Sequence, residues 1–269
     1  MAEEIRLRDD LLKKVQQTEL SILKAVAMFC EENDIKYCLT SGTLLGAIRH
    51  EGFIPWDDDI DISMPRADYE RFISLADKFI NGYEVVCTKL NDKYPIAIAK
   101  VRKCGTVMKE PSMAHLDINH GIWIDVFPLD RVKNVNGLKK RAHRFNFITT
   151  VINYKLDVLK PRKAVTRIIC AVLSVLSVKY LDKIRTRIMT WEEKTDGKYF
   201  TSFASNLGPG KLLFTEDVYF PLKKIKFEDE MFYAPSDSRK WLTSAYGEYM
   251  VWPPEEERVN RHKILEIKI

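Results

Sequence analysis

The amino-acid sequence predicts an α+β fold, and three stretches carry that expectation. Residues 9–31 place Leu11, Leu12, Val15, Ile22, Leu23, Val26 and Cys30 at helical spacing, the pattern of an amphipathic helix with one face on a core. Residues 57–62, Asp-Asp-Asp-Ile-Asp-Ile, alternate acid and apolar from Asp59 onward, and residues 121–130 alternate again around a central acid. A period of two marks a strand whose faces meet different surroundings.

A chain of 269 residues accommodates one large domain or two small ones around a substantial core. Hydrophobic residues at 46% and charged residues at 30% exclude the disordered and fibrous classes. Neither repeats nor a Gly/Ser linker divide the chain. The cysteines at 30, 38, 87, 104 and 170 form no CxxC pair and have no histidine at ligand spacing, which argues against structural zinc. Their odd number and their apolar settings favour reduced thiols in the cytosol. The N-terminal MAEEIRLRDD is charged, so no signal peptide is expected. The net charge of +5 is unevenly divided: residues 131–187 hold 15 Lys and Arg against Asp157 and Asp182, leaving the rest of the chain acidic. That asymmetry suggests a basic surface for a membrane or a polyanion.

Taken in order, Tyr37–Thr40 reads as a strand that breaks at the small-residue turn Ser41-Gly42-Thr43. A short apolar helix, Leu44–Ile48, follows, and its N-terminus with the turn's free N–H groups would receive a phosphate. On a strand, Asp57, Asp59 and Asp61 share one face, with Ile60 and Ile62 on the other. Carboxylates so crowded repel one another unless cations hold them, and hard divalent cations use this kind of ligand. An acid run is also a common solvated loop; the interleaved isoleucines favour a half-buried strand. Ser63 with Pro65 suggests a helix start, the helix running to about Ile80 before Asn81-Gly82, and Tyr83–Thr88 and Ile96–Arg102 look like strands. In residues 121–130, Ile122, Ile124 and Val126 face one way and Trp123, Asp125 and Phe127 the other. A buried Asp125 needs a cation or a hydrogen-bond partner, structural or catalytic; Asp130, beyond the proline, reads as a turn or cap. Residues 168–178 form the most apolar run, too short to span a bilayer. With basic flanks it suits either an anionic lipid interface or a buried helix. Aromatic-rich strands and a Gly-Pro-Gly turn at 208–210 lead to the ending Tyr246-Gly247, Trp252-Pro253-Pro254, Arg258 and His262.

The string SGTLLGAIRHEGFIPWDDDIDI, the IDVFPLD string at 124–130 and the YG…PP…R…H ending together resemble the LicD family, phosphotransferases that decorate bacterial surface glycans and are similar to fukutin-related proteins. The resemblance implies a nucleotidyltransferase-like, polymerase-beta-type mixed sheet with flanking helices. The resemblance covers both ends and is least specific in the basic middle, and the chain is expected to divide into a catalytic core over 1–130, a basic helical insertion over 131–190 that offers a membrane or acceptor contact, and a C-terminal part, 191–269, completing the active site. It further implies Mg²⁺ or Mn²⁺ on Asp57, Asp59, Asp61 and Asp125, with Asp59, Asp61 and Asp125 catalytic and Ser41, Gly42, Thr43 and Arg49 around donor phosphate. The expected reaction moves phosphocholine from CDP-choline to a lipid-linked glycan or teichoic-acid precursor and releases CMP, at the inner face of the plasma membrane. Trp56, Trp123, Tyr249 and Trp252 are candidates for a choline-binding aromatic box, and His120 and His262 for acceptor binding or proton transfer; each is equally a packing residue. Transfer of another phospho-alditol, or of a nucleotide from an NTP, are the alternatives on the same fold. A nucleic-acid or membrane-binding module without catalysis is a third reading; it leaves the two alternating acid strands unexplained, and no nucleic-acid partner is expected.

Overall fold

The computed structural model describes residues 5–192, 195–260 and 262–269. The first helix, α1 (Asp9–Glu32), buries Leu12, Val15, Ile22, Leu23, Val26 and Cys30, as its spacing requires, and buries Glu19 among them. It is followed by β1 (Cys38–Leu39), α2 (Ser41–His50), β2 (Asp61–Pro65), α3 (Arg66–Ser74), β3 (Tyr83–Val86), β4 (Ala99–Lys103), β5 (Val107–Lys109) and β6 (Trp123–Val132). Three helices come next, α4 (Leu138–Lys155), α5 (Ala164–Leu173) and α6 (Val178–Met189). The chain closes with β7 (Tyr199–Thr201), β8 (Phe214–Thr215), α7 (Glu216–Tyr219), β9 (Lys223–Phe227), β10 (Glu230–Ala234), α8 (Ser238–Tyr246) and β11 (Glu266–Lys268).

The main sheet runs β1-β2-β6-β4-β3, with β7 on β6 and β8 on β7. β2 and β6 pair in parallel while their other neighbours are antiparallel, so the sheet is mixed and the fold α+β. The parallel register sets Asp61 opposite Asp125, and the β4–β6 register sets Lys100 opposite Asp125. β9 and β10 form a hairpin, and β11 brings the C-terminus back onto β5. A single large core joins α1, α2, α3 and α8 to the sheet, while Val151, Ile152, Cys170, Val178 and Leu181 form a small core between α4, α5 and α6. All five cysteines are free. Among the described residues no single helix is long and apolar enough to cross a membrane.

Several expectations are corrected. The strand expected over 37–40 is only Cys38–Leu39, and Ser41, Gly42 and Thr43 are the first turn of α2 rather than a turn before it. The Leu44 N–H already bonds the Thr40 carbonyl at 3.0 Å, which starts the helix earlier than glycine propensity suggests. Asp57, Asp58 and Asp59 precede β2 and lie outside any strand. Ser63 and Pro65 belong to β2, and the helix after them ends at Ser74, with a 3₁₀ turn over Ala76–Lys78. Asp130 is neither turn nor cap: it is fully buried in β6, 2.7 Å from Arg66 Nε. The apolar run 168–178 is broken after Leu173, where Ser177 caps α6 by accepting the Tyr180 N–H at 3.2 Å, and α5 and α6 meet at 110°.

Candidate active site

The site is assembled where α2 leaves β1 and the acid loop enters β2. Thr43, buried in the first turn of α2, accepts the Asp61 N–H on its hydroxyl at 2.7 Å, and the Thr40 N–H bonds the Asp61 carbonyl at 3.1 Å. These bonds pin the start of β2 beside the N-terminus of α2. Ser41, at φ 50°, holds a left-handed conformation that costs a non-glycine residue energy and is retained where surroundings dictate it. Gly42 faces Asp57 so closely that a Cβ would lie 2.6 Å from Asp57 Oδ2. From the other side, Gln16 of α1 donates to the Asp57 carbonyl at 2.9 Å.

Asp57, Asp58 and Asp59 each offer a carboxylate oxygen, and these oxygens lie within 4.8 Å of one another. That donor set fits a hard divalent cation: oxygens alone, negatively charged and clustered. The set differs from the expected one. Asp58, passed over by the alternation, is buried and makes an ion pair with His262 Nδ1 at 3.2 Å while accepting the His262 N–H at 3.2 Å. Asp125 meets Lys100 Nζ at 2.6 Å, and that ammonium lies 4.2 Å from the Trp123 ring centre.

Protonation reflects the crowding. Burial, reinforced by Asp59 and Asp125, holds Asp61 well above the usual carboxylate range. Burial likewise raises Asp59, where His262 and Lys100 oppose it. Glu19, with neither oxygen hydrogen-bonded among the described residues, is raised by its burial and then by the fields of Asp59, Asp58 and Asp57. Burial alone would lower His262, but its bond to Asp58 and the charges of Asp58 and Asp59 push it up to about 9.

A cavity of about 700 Å³ opens over this cluster. Ser41, Gly42, Arg49, Trp56, Asp57, Asp59, Asp61, Tyr249 and His262 of the expected set line it. Arg49 is committed to structure as well: its Nη1 donates to the Tyr249 carbonyl at 2.7 Å, tying the C-terminal loop to α2. Trp252 stands at the rim, edge-to-face with Trp56 at 5.7 Å, and the Arg258 guanidinium lies over both rings. The remaining candidates stand elsewhere. Thr43 lies beneath the cavity wall, and Asp125 lies one strand behind Asp61. Trp123 is fully buried with Lys100 and Arg102 against its ring, so its place is the core. His120 bonds the Leu116 carbonyl at 3.0 Å, away from the cavity.

Sequence reasoning missed Glu19, Asp58 and Lys100, and with them Ser205, Asn206, Glu248 and Glu257, which also line the cavity. Two of these left a signal. Glu19 sits four residues after Val15 on the apolar stripe of α1, and Lys100 interrupts the apolar run Ile96–Val101. Asp58 lies inside the acid run but on the face opposite Asp57 and Asp59 if the run is a strand, and Ser205, Asn206, Glu248 and Glu257 lie in segments whose sequence carries no periodicity.

Residues 34–165 match the family described as LicD/FKTN/FKRP, nucleotidyltransferase domain. The chain is 29% identical over 261 residues to the lipopolysaccharide cholinephosphotransferase LicD of Haemophilus influenzae, covering 93% of this chain and 96% of that protein. It is 40% identical over 70 residues to an uncharacterized protein of Rickettsia typhi, 26% of this chain and 23% of that one. An uncharacterized protein of Rickettsia prowazekii is 40% identical over 91 residues, 30% and 33% of the two chains. With the acid loop, the N-terminus of α2 and the IDVFPLD strand all inside the matched region, residues 34–165 form a LicD-family domain, in a chain similar along its length to a LicD transferase.

Proposed function

We propose that the protein transfers phosphocholine from CDP-choline to a hydroxyl of a lipid-linked cell-surface glycan or teichoic-acid precursor, releasing CMP. The observation that carries this reading is the end-to-end likeness to the Haemophilus cholinephosphotransferase, combined with an acid cluster on the wall of a cavity. Phosphoryl transfer asks a protein for charge neutralisation and in-line positioning more than for a nucleophile. Asp57, Asp58 and Asp59, whose carboxylate oxygens cluster, together with Asp61 on the same cavity wall, are the residues that would hold Mg²⁺ or Mn²⁺, with Asp125 behind them. A divalent cation bound there supplies neutralisation of the donor pyrophosphate.

The chain's own groups do the rest. The N-terminus of α2, at Ser41 and Gly42, would receive a donor phosphate, with Arg49 as a charged partner above it. Asp125 fixes the Lys100 ammonium where its charge reaches Asp59 and Asp61. Trp56 and Trp252 already hold a guanidinium over their rings, which supports a cation-binding rim suited to a quaternary ammonium. His262, held by Asp58 at the cavity wall, would carry a proton to or from the acceptor side.

The test is CMP release from CDP-choline with Mg²⁺ or Mn²⁺, in the presence of a lipid-linked glycan fraction, beside an Asp59→Ala/Asp61→Ala variant. A CDP-alditol and an NTP serve as parallel donors. Metal-dependent CMP release that disappears in the variant is the expected result. Pyrophosphate from the NTP, with every CDP donor inert, would overturn the reaction while leaving the fold.

A further inference from the structure

Helix α5 is turned the wrong way for an ordinary surface helix. It meets the rest of the protein through Cys170, which is fully buried, with Thr166 and Leu173 partly covered beside it. Its aliphatic side chains point outward: Val165 is 69% exposed, Ile168 65% and Val172 64%, and Val175, just beyond the helix, is 83% exposed. At helical spacing, Val165, Ile168, Ile169 and Val172 fall on one arc of about 100°, the width that a surface helix normally turns toward a core. The 110° bend after Leu173 creates this arrangement, because it sends α6 back along α4 and leaves the outer face of α5 uncovered. Contiguous apolar surface of this kind on a soluble domain marks a binding face.

The rim is basic. Arg162, Lys163 and Lys179, in the segments flanking α5, are exposed and make no ion pair among the described residues. No acid lies between Asp157 and Asp182. We propose that the outer face of α5, with this basic rim, docks the protein in the interface of an anionic lipid bilayer.

Charge complementarity selects that occupant. A second copy of the chain would bring the same basic rim against itself, and a nucleic acid would satisfy the cations while leaving the aliphatic face in water. An anionic lipid surface takes both: headgroup phosphates meet Arg162, Lys163 and Lys179, and the valines and isoleucines enter the acyl boundary. Ten residues of helix rise only about 15 Å, half of a hydrocarbon core, so α5 lies in the plane of the interface rather than across it. The inference does not depend on which group the enzyme transfers.

The experiment is sedimentation of the full chain with phosphatidylcholine vesicles, with and without phosphatidylglycerol. The variants are Ile168→Asp/Val172→Asp and Arg162→Ser/Lys163→Ser/Lys179→Ser, each checked for an unchanged melting temperature. Wild type is expected to sediment with the anionic vesicles and not with the neutral ones. Each variant is expected to bind roughly tenfold or more weakly, and high salt to release wild type. Three results would overturn the proposal. One is absence of wild-type binding to anionic vesicles. Another is binding that both folded variants retain. The third is a wild-type dimer, dispersed by Ile168→Asp/Val172→Asp, that binds no vesicle; that result would give the face to a second copy.

Discussion

Replacing Gly42 by alanine tests whether the acid loop is held against α2 for chemistry or merely for stability. The added Cβ would stand 2.6 Å from Asp57 Oδ2, where ordinary contact begins at 3.4 Å, so the carboxylate must retreat by about 0.8 Å. The main chain of Asp57 cannot follow easily: its carbonyl accepts from Gln16 at 2.9 Å and its N–H donates to the Ile54 carbonyl at 2.9 Å. The side chain swings instead, and the oxygens of Asp57, Asp58 and Asp59 lose the mutual spacing that suits one cation. Misplacement by about 1 Å costs on the order of a hundredfold in rate. We therefore expect kcat/KM to fall about 30- to 100-fold, or about 2–3 kcal/mol of transition-state stabilisation. The melting temperature should hold or rise slightly, because the displaced atom is the end of a flexible side chain and alanine outdoes glycine in a helix by up to about 1 kcal/mol. The assay is metal-dependent CMP release read beside thermal unfolding. Gly46→Ala is the contrast. There the Cβ would meet the Gly52 carbonyl at 2.4 Å and the Ile54 N at 3.2 Å, both backbone, so the loop itself must move. Such overpacking costs about 1–3 kcal/mol, and the melting temperature should drop by roughly 2–4 °C for each. Full activity in folded Gly42→Ala, or a loss of stability matching Gly46→Ala, would refute the reasoning.

Three further substitutions probe the buried charges. Glu19 is raised by burial and by the acid loop, so the native state holds its proton more tightly than the unfolded chain; stability then falls as pH climbs above about 4.5. Glu19→Gln should remove that slope in chelator and raise stability at neutral pH; urea titrations at several pH values that superimpose on wild type would contradict it. His262, raised from 6.5 to about 9, stabilises the fold fully below pH 6.5 and loses that contribution as pH rises toward 9. The upper bound is roughly 3 kcal/mol, and His262→Gln should flatten the metal-free melting temperature across that window. Asp130→Ala leaves Arg66, 5% exposed, buried without its partner, and should cost about 3–5 kcal/mol in urea unfolding; a loss below about 1 kcal/mol would mean that Glu70 suffices.

The elements that were legible in the sequence are those whose partners are local. The stripe of α1 needs only its own turns, and the alternation at 122–127 describes faces of one strand. Both appear as expected, Ile124 and Val126 in the core and Asp125 paired within the sheet. Where the reading failed, a distant segment decided. Asp58 should point opposite to Asp57 and Asp59 on a strand, yet His262, 204 residues away, draws it inward and breaks the period before β2 begins. Asp130 looked like a turn residue after a proline, but Arg66, 64 residues earlier, supplies a buried cation that keeps it in β6. The aliphatic run at 168–178 fitted an interfacial or a buried helix equally by composition; only the packing of α6 on α4 shows that Ile168, Ile169, Val172 and Val175 face outward.

The chain's own cations balance only part of the charge of the site. The chain supplies Lys100 to Asp125 and His262 to Asp58. Asp59 and Asp61 form no ion pair among the described residues, and Glu19 lies behind them without a hydrogen bond. Folding these carboxylates together costs free energy that a core of similar volume would not incur. Burial shifts Asp59, Asp61 and Glu19 toward their protonated forms, which offsets part of that cost. A divalent cation bound there would displace protons from these groups, so its affinity would rise with pH. A merely structural acid cluster would gain nothing from that linkage, since replacing its carboxylates by amides would be stabilising at no cost to the protein. Retaining Asp59 and Asp61 at the cavity wall, beside a helix N-terminus, is what a site built around a phosphate and its counter-ion requires.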